Sequence, residues 1–345
     1  MKLKGCLVWV VVALSVALAG SPALALDPIQ SKSGFSGFVQ PGLGFLSIKS
    51  NTVAKVLSFD LSEKRTSALD NNPDAENTVL VTVPFKLAYT FAGTGTELFF
   101  GTDIGDMLAF DTAQQLGIKQ SIGSLGVLQA GVLFSGNVRV WKDPYVTGQS
   151  RDDTDRKNVG AQLVWDKVFG SNLELEYSLR KVDIGDEQSG QFLGLTPSQQ
   201  DRLDRNGTIH RFEAAYGFKL GANHTLKPAV ALFYEDLDGE AMANGGVDFR
   251  MTYIWNSEPF TLVANAYVGY AEYDKSNPVF DETRTDDRFG VSGTIYYTNP
   301  WGYSFLGSEP WRFFATGAYF AVDSNTNFYN QEAGLVMGGI AFRWK

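Results

Sequence analysis

The chain predicts an all-β protein: an antiparallel, up-and-down transmembrane β-barrel of about fourteen strands, with long external loops and short periplasmic turns. Three observations carry that expectation. Apolar and polar residues alternate with period two over segments of about ten residues or more, which suits strands tilted across a bilayer better than the five or six residues usual in soluble sheets. Terse Gly/Asn turns alternate with long polar connections along the chain. No apolar run after residue 26 approaches the roughly 18 to 20 residues that a spanning helix needs.

The first segment, "MKLKGCLVWVVVALSVALAGSPALA", has two early lysines, a long apolar run and an Ala-x-Ala ending at Ala25. This is the layout of a secretory signal peptide, residues 1–25, cleaved before Leu26, and it leaves 26–345 as a single barrel domain. The run breaks at Gly20-Ser21-Pro22, which argues against a membrane anchor. Cys6 is the chain's one cysteine and leaves with the leader, so thiol chemistry and disulfides are excluded from the mature protein. The whole chain carries 29 basic and 38 acidic side chains, net −9; losing Lys2 and Lys4 leaves 27 against 38, net −11. Such an acidic chain offers nucleic acid no general attraction, so nucleic acid is not expected as a partner.

Strands read at 34–50, 77–91, 96–105, 108–119, 125–140, 157–167, 172–183, 207–219, 224–237, 244–256, 260–273, 285–298, 309–322 and 327–344. In "NTVLVTVPFKLAYTF", Val79, Val81, Val83, Phe85, Leu87, Tyr89 and Phe91 share one face, and Thr82, Lys86 and Thr90 share the other. "NLELEYSLRKV" sets Leu173, Leu175, Tyr177 and Leu179 against Glu174, Glu176, Ser178 and Arg180. "DRFGVSGTIYY" repeats the alternation. The segments at 96–105 and 108–119 are the least regular, so twelve strands is the alternative count.

Connections after even-numbered strands, such as "AGTG", "FGSN", "LGAN" and "NSEP", have the chemistry of tight turns. Those after odd-numbered strands include the long ones, 51–76, 141–156, 184–206 and 274–284. The link "NPWGYSFLGSEP" is an exception on the short-turn side. Trp165, Tyr216, Phe218, Trp255, Tyr297, Trp311, Phe342 and Trp344 fall near short-turn ends, and Trp141, Tyr145, Tyr270, Tyr273 and Tyr319 near the opposite ends. That distribution reads as two interfacial girdles.

Several blocks occur together in one order: "SGFSGFVQPGLGFLSIKSN" at 33–51, "WKDPYVTGQSRDDTDR" at 141–156, "LDRNG" at 203–207, "DGEAMA" at 238–243, "SNPVFDETRTDDRFG" at 276–290 and "SNTNFYNQEAGL" at 324–335. In these the chain resembles the bacterial outer-membrane proteins grouped as domain-of-unknown-function family 2860. The resemblance covers essentially the whole mature chain and implies an outer-membrane barrel of a Gram-negative bacterium. It brings no catalytic residues with it.

Candidate chemistry is sparse. His210 and His224 are the two histidines, and neither has the serine and orienting carboxylate of a hydrolase nearby in sequence. A barrel-embedded lipid hydrolase is therefore the third functional reading, with no catalytic residue assigned. "RDDTD" lacks the central Gly and bidentate Glu of a calcium loop, so no metal site and no cofactor are expected.

Inward parity is expected to bring Arg139, Glu174, Glu176, Arg180, Arg211, Glu213, Glu235, Asp248, Arg250 and Arg288 into the lumen, with Glu97, Asp103 and Asp111 and polar Gln129, Asn137, Gln162 and Asn265. Buried charges must be paired or wet. A wet lumen implies a porin-like channel for small polar solutes; a cross-linked one implies a closed barrel acting through its loops as adhesin, receptor or structural protein. In the loop at 141–156, Trp141, Lys142, Asp143, Pro144, Arg151, Asp152 and Asp153 are candidates for an external role. Pro144 and Gly148 would shape a turn that the aspartates solvate, and ligand gating is the alternative. Expected partners are outer-membrane lipids, small polar solutes and, during biogenesis, the barrel-assembly machinery.

Overall fold

A computed structural model describes residues 28–56, 59–103, 113–135, 138–299, 301–304 and 308–345; the expected signal peptide lies outside the described residues. Fourteen wall strands follow one another. They are β1 (Gly34–Val39, resuming as Gly42–Lys49), β2 (Ala75–Thr82, resuming as Phe85–Phe91), β3 (Thr96–Asp103) and β4 (Ala113–Ser121). Next come β5 (Val127–Ser135, resuming as Val138–Trp141), β6 (Asp153–Asp166), β7 (Leu173–Ile184) and β8 (Gly207–Tyr216, then Phe218–Lys219). The last six are β9 (His224–Leu237), β10 (Asn244–Ser257), β11 (Phe260–Asn277), β12 (Glu282–Thr298), β13 (Arg312–Ser324) and β14 (Gln331–Trp344).

Each strand pairs antiparallel with the next, and β14 pairs with both halves of β1: Gly37 lies opposite Trp344, and Lys49 opposite Glu332. The sheet is thereby a closed barrel. The two irregular segments are wall strands, so the count is fourteen and not twelve.

Two prolines interrupt neighbouring strands at one level. Neither Pro41 nor Pro84 can donate to the ladder. The break is bridged locally: Gln40 N–H donates to Pro84 O at 2.8 Å, and Ile340 N–H to Pro41 O at 3.1 Å.

Several strands run further than the alternation suggested. β6 begins at Asp153, opposite Trp141, and β11 and β12 continue to a register pairing Asn277 with Glu282. Beyond the apolar band a ladder needs only backbone groups, so the polar run "DTDR" is strand although its composition reads as loop. The first long connection also contains a short hairpin, Val53–Val56 with Phe59–Asp60, whose first arm pairs with Val138–Val140 of β5.

Alternation sorts the side chains. Val79, Val81, Leu163, Leu232 and Val336 lie on the outer face, exposed, which is stable only against a non-aqueous surround. Ring pairs Trp165–Phe169, Tyr216–Phe218 and Trp311–Phe342 gather toward the short-turn rim. The girdle expected at the other rim is only partly there, because Trp141 and Tyr145 are each 1% exposed and pack beneath loops. In the lumen, the wall of β10–β14 contributes a packed apolar group, Ile254, Val263, Tyr296, Phe314 and Met337.

A charge placed on the outer face tests this orientation. Val81→Arg is expected to destabilise the folded barrel in lipid by about 2–4 kcal/mol if it sits near the midplane, read from urea unfolding in bilayers of matched thickness.

Candidate functional site: the lumen and its loop cap

Among the described residues, three charged groups line the lumen from the short turns to mid-height. Nearest the short turns, Lys227 donates to Glu174 at 2.8 Å, and Gln162 donates to Glu176 at 2.8 Å while accepting from Gln129 at 3.4 Å. On the adjoining wall, Glu97 lies 3.3 Å from Lys86 and 3.5 Å from Lys119, with both ammonium groups within 6 Å of the Phe99 ring centre (5.4 and 5.8 Å). At mid-height Asp248 takes Arg211 at 2.6 Å, Tyr267 Oη at 2.9 Å and Arg288 at 3.6 Å. Glu213 joins the same group, paired with both Arg211 and Arg250. The Arg288 guanidinium lies over the Phe233 ring at 4.8 Å. Each carboxylate here meets cationic or hydrogen-bonding partners, the condition under which charge survives burial.

Two cavities follow this polar wall. One of about 440 Å³ opens at the short-turn rim and is bounded by Ser36, Phe38, Lys86, Glu97, Asp166 and Lys219 among others. The second, about 250 Å³, lies between Lys86, Lys119, Gln115, Gln129, Gln162, Glu174 and Glu176. Lys86 lines both.

Over the opposite rim the long connections build a core of their own. Tyr145, Leu203, Ala241, Met242, Phe328 and Tyr329 are buried together, flanked by Leu69, Leu195, Val279 and Phe280. These residues come from six different connections on that rim. Polar contacts tie the cap. Tyr145 Oη and Tyr329 Oη are 2.6 Å apart, and Asn277 donates to Tyr329 Oη at 2.8 Å. Asp143 accepts the backbone N–H groups of Tyr145, Gly190 and Phe192 at 3.0, 3.1 and 2.9 Å. Arg205 is buried against Glu187 at 2.7 Å and donates to the carbonyls of Trp141 and Lys142. Burial works against its charge, but Glu187 more than compensates, and the guanidinium titrates above its ordinary range.

The block at 141–156 is therefore not a solvated hairpin end. Trp141 Nε1 donates to Ser62 Oγ at 2.9 Å, and Arg151 stacks on the Trp141 ring at 4.5 Å while donating to Asn51 O and Pro144 O. Burial lowers the Arg151 pKa to about 10 against the pull of Glu63. Gly148, at φ +70°, supplies the left-handed turn that brings its N–H to Thr66 O. Lys142 pairs with exposed Asp186 at 2.7 Å. Asp152 O accepts from Lys142 N–H, which closes the hairpin.

The quoted blocks that occupy this cap and the strands beneath it have a match. A family profile described as "Protein of unknown function (DUF2860)" covers residues 34–343. The chain belongs to this family. A search of curated proteins finds no match. The DUF2860 barrel is similar in structure to OmpT with loop L8 deleted, an outer membrane protein of Vibrio cholerae: 11% identity, 91% of this chain and 99% of that one, TM-score 0.42. It is also similar to the outer membrane channel DcaP of Acinetobacter baumannii (10% identity, 94% and 99%, TM-score 0.40) and to the toluene transporter TbuX of Ralstonia pickettii (9% identity, 90% and 90%, TM-score 0.42).

In the DUF2860 barrel nine of the ten expected lumen residues keep inward parity. Arg211, Glu213, Asp248, Arg250 and Arg288 form one network; Glu174 and Glu176 belong to another; Arg180 is buried on β7, and Glu235 accepts from Asn244 at 3.2 Å. Arg139 is a correction. Between the pairs Phe134–Val159 and Val138–Arg156 the β5–β6 register shifts by one residue, so the faces exchange. Val138 and Val140 turn inward, and Arg139 joins Asp153, Asp155 and, through Asp153, Lys55 on the outer face. Asp111 and Asn137 lie outside the described residues, as does the side chain of Asp103.

Sequence reasoning missed Lys119 and Lys227, whose ammonium groups neutralise Glu97 and Glu174. Inward parity was the available signal, but Lys119 closed its expected strand and Lys227 lay beside a turn. His210 Nδ1 is 2.9 Å from Tyr177 Oη on the outer wall, and His224 Nδ1 is 2.7 Å from Tyr253 Oη. Among the described residues no group of three or more His, Cys, Asp or Glu is placed to hold a metal ion.

The cap core is testable apart from the wall. Tyr145→Ala removes a fully buried ring and is expected to cost about 3–5 kcal/mol of cap stability, as for other core aromatics. Limited proteolysis should then cut within 142–152 and 185–206 while the wall strands stay protected.

Proposed function

We propose that this barrel is an outer-membrane channel for small polar solutes, with a narrow path along the wall of β2–β9. The observation that carries the reading is the pair of cavities meeting at Lys86, both lined by charged and amide side chains. Water and small solutes are favoured on that side, while the apolar group from β10–β14 narrows the other. The cap would then restrict entry from the long-loop side and keep conductance low.

A closed barrel acting through its loops is the second reading. The cap's own hydrophobic core favours it, because a surface so well packed can serve as a fixed recognition face.

Single-channel recording in planar bilayers separates the two. A steady ion current is expected from the purified barrel; no current above background would leave the closed-barrel reading. Replacing both carboxylates of the inner stripe, Glu174→Gln with Glu176→Gln, should leave Lys227 uncompensated and move the reversal potential in a salt gradient toward anion preference.

A further inference from the structure

We infer that the inner cavity on the wall of β2–β7 is a binding site for neutral polyhydroxy solutes of monosaccharide size. The space is about 250 Å³, and three glutamines line it: Gln115, Gln129 and Gln162. Gln162 is engaged within the wall. Its carbonyl oxygen accepts from Gln115 and Gln129, and its amide nitrogen donates to Glu176 at 2.8 Å. The other two amides end differently. Gln115 and Gln129 are 8% and 5% exposed, yet among the described residues their Oε1 atoms meet no donor, and both side chains border the cavity. A buried acceptor is costly to leave without a donor, so these two oxygens favour an occupant that donates.

Two glycines of the same wall keep the space open. A Cβ at Gly131 would stand 2.8 Å from Gln115 Nε2, and one at Gly117 would stand 2.5 Å from Phe99 Cζ. Without those side-chain atoms the Gln115 amide and the Phe99 ring lie flat along the wall instead of projecting across the bore.

Charge then selects among donors. Lys86 and Lys119 line the cavity together with Glu174 and Glu176, two cations and two anions, so a net charge on the solute brings no net attraction. A hydroxyl suits the lining better, because it donates to the amide oxygens and can accept in return. A solute with several hydroxyls meets both glutamines at once, and the Phe99 ring offers its carbon skeleton an apolar contact.

This deepens the channel reading by naming the class of solute, and it rests on that reading only for the role in transport. The test is therefore binding, not current. Saturation-transfer difference NMR of D-glucose is recorded with the folded barrel in a polyoxyethylene detergent, which carries no sugar head group. Saturable transfer is expected, and Gln115→Met/Gln129→Leu should weaken the apparent affinity about tenfold, the loss of two modest hydrogen bonds. Gly131→Ala keeps all three amides but lifts Gln115 off the wall, and it should weaken binding in the same direction. Acetate and choline, measured in the same way, should bind at least about tenfold more weakly than glucose.

Folding of each protein is checked by heat-modifiable gel migration; should the double variant not fold, Gln129→Leu alone and Gly131→Ala make the same comparison. Absent glucose transfer, transfer unchanged in the variants, or acetate or choline binding as tightly as glucose overturns the inference. Glucose binding with no channel current would overturn the transport reading and leave the site in place; current without glucose binding would do the reverse.

Discussion

Everything in this molecule depends on closure of the ladder between β14 and β1. A strand facing hydrocarbon has no water to satisfy its N–H and C=O groups, so an open edge in the apolar band would leave several of them orphaned. Pairing from Gly37–Trp344 up to Lys49–Glu332 removes that edge. Where the ladder is imperfect, at Pro41 and Pro84, the neighbouring N–H groups find carbonyls across the gap. Once the circle is complete, period two does the rest across the apolar band: residues such as Val79, Leu163 and Val336 look outward, and Glu174, Arg211 and Asp248 look inward.

The interior is divided by the chemistry of its two walls. The β10–β14 wall fills its share of the bore with side chains, as a small soluble core would. Across from it, carboxylates, ammonium groups and amides hold one another at hydrogen-bonding distance and leave space between them. Charged side chains can occupy that space because each carboxylate has at least one cationic or amide partner; without Lys119, for instance, Glu97 would lose one of its two counter-charges.

Much of this was legible in the residues. Strand order, fourteen crossings, the sides of the short and long connections and the facing of Glu174 to Arg288 all follow from alternation, because a barrel wall has only two sides. Arg139 shows the limit of that logic. One extra residue between Phe134 and Val138 exchanges the faces; the Ser135-Gly136-Asn137 written there is the kind of break that marks a bulge, but alternation read straight through it misses the exchange. The cap was hidden for a different reason. Its core joins residues as distant as Leu69 and Phe328, so no local period reports it. The clue lay in composition: Tyr145, Phe280, Phe328 and Tyr329 are too many aromatics for loops that merely solvate.

The cap also fastens the seam from above. Asn51 holds the Phe328 carbonyl, Arg151 holds Asn51, and Arg202 reaches the Ser276 carbonyl. The first of these links joins the loop that leaves β1 to the loop that enters β14, the two strands whose pairing shuts the wall. The roof is consequently a clasp across the same junction that the ladder makes, so the chain's first and last crossings are tied twice.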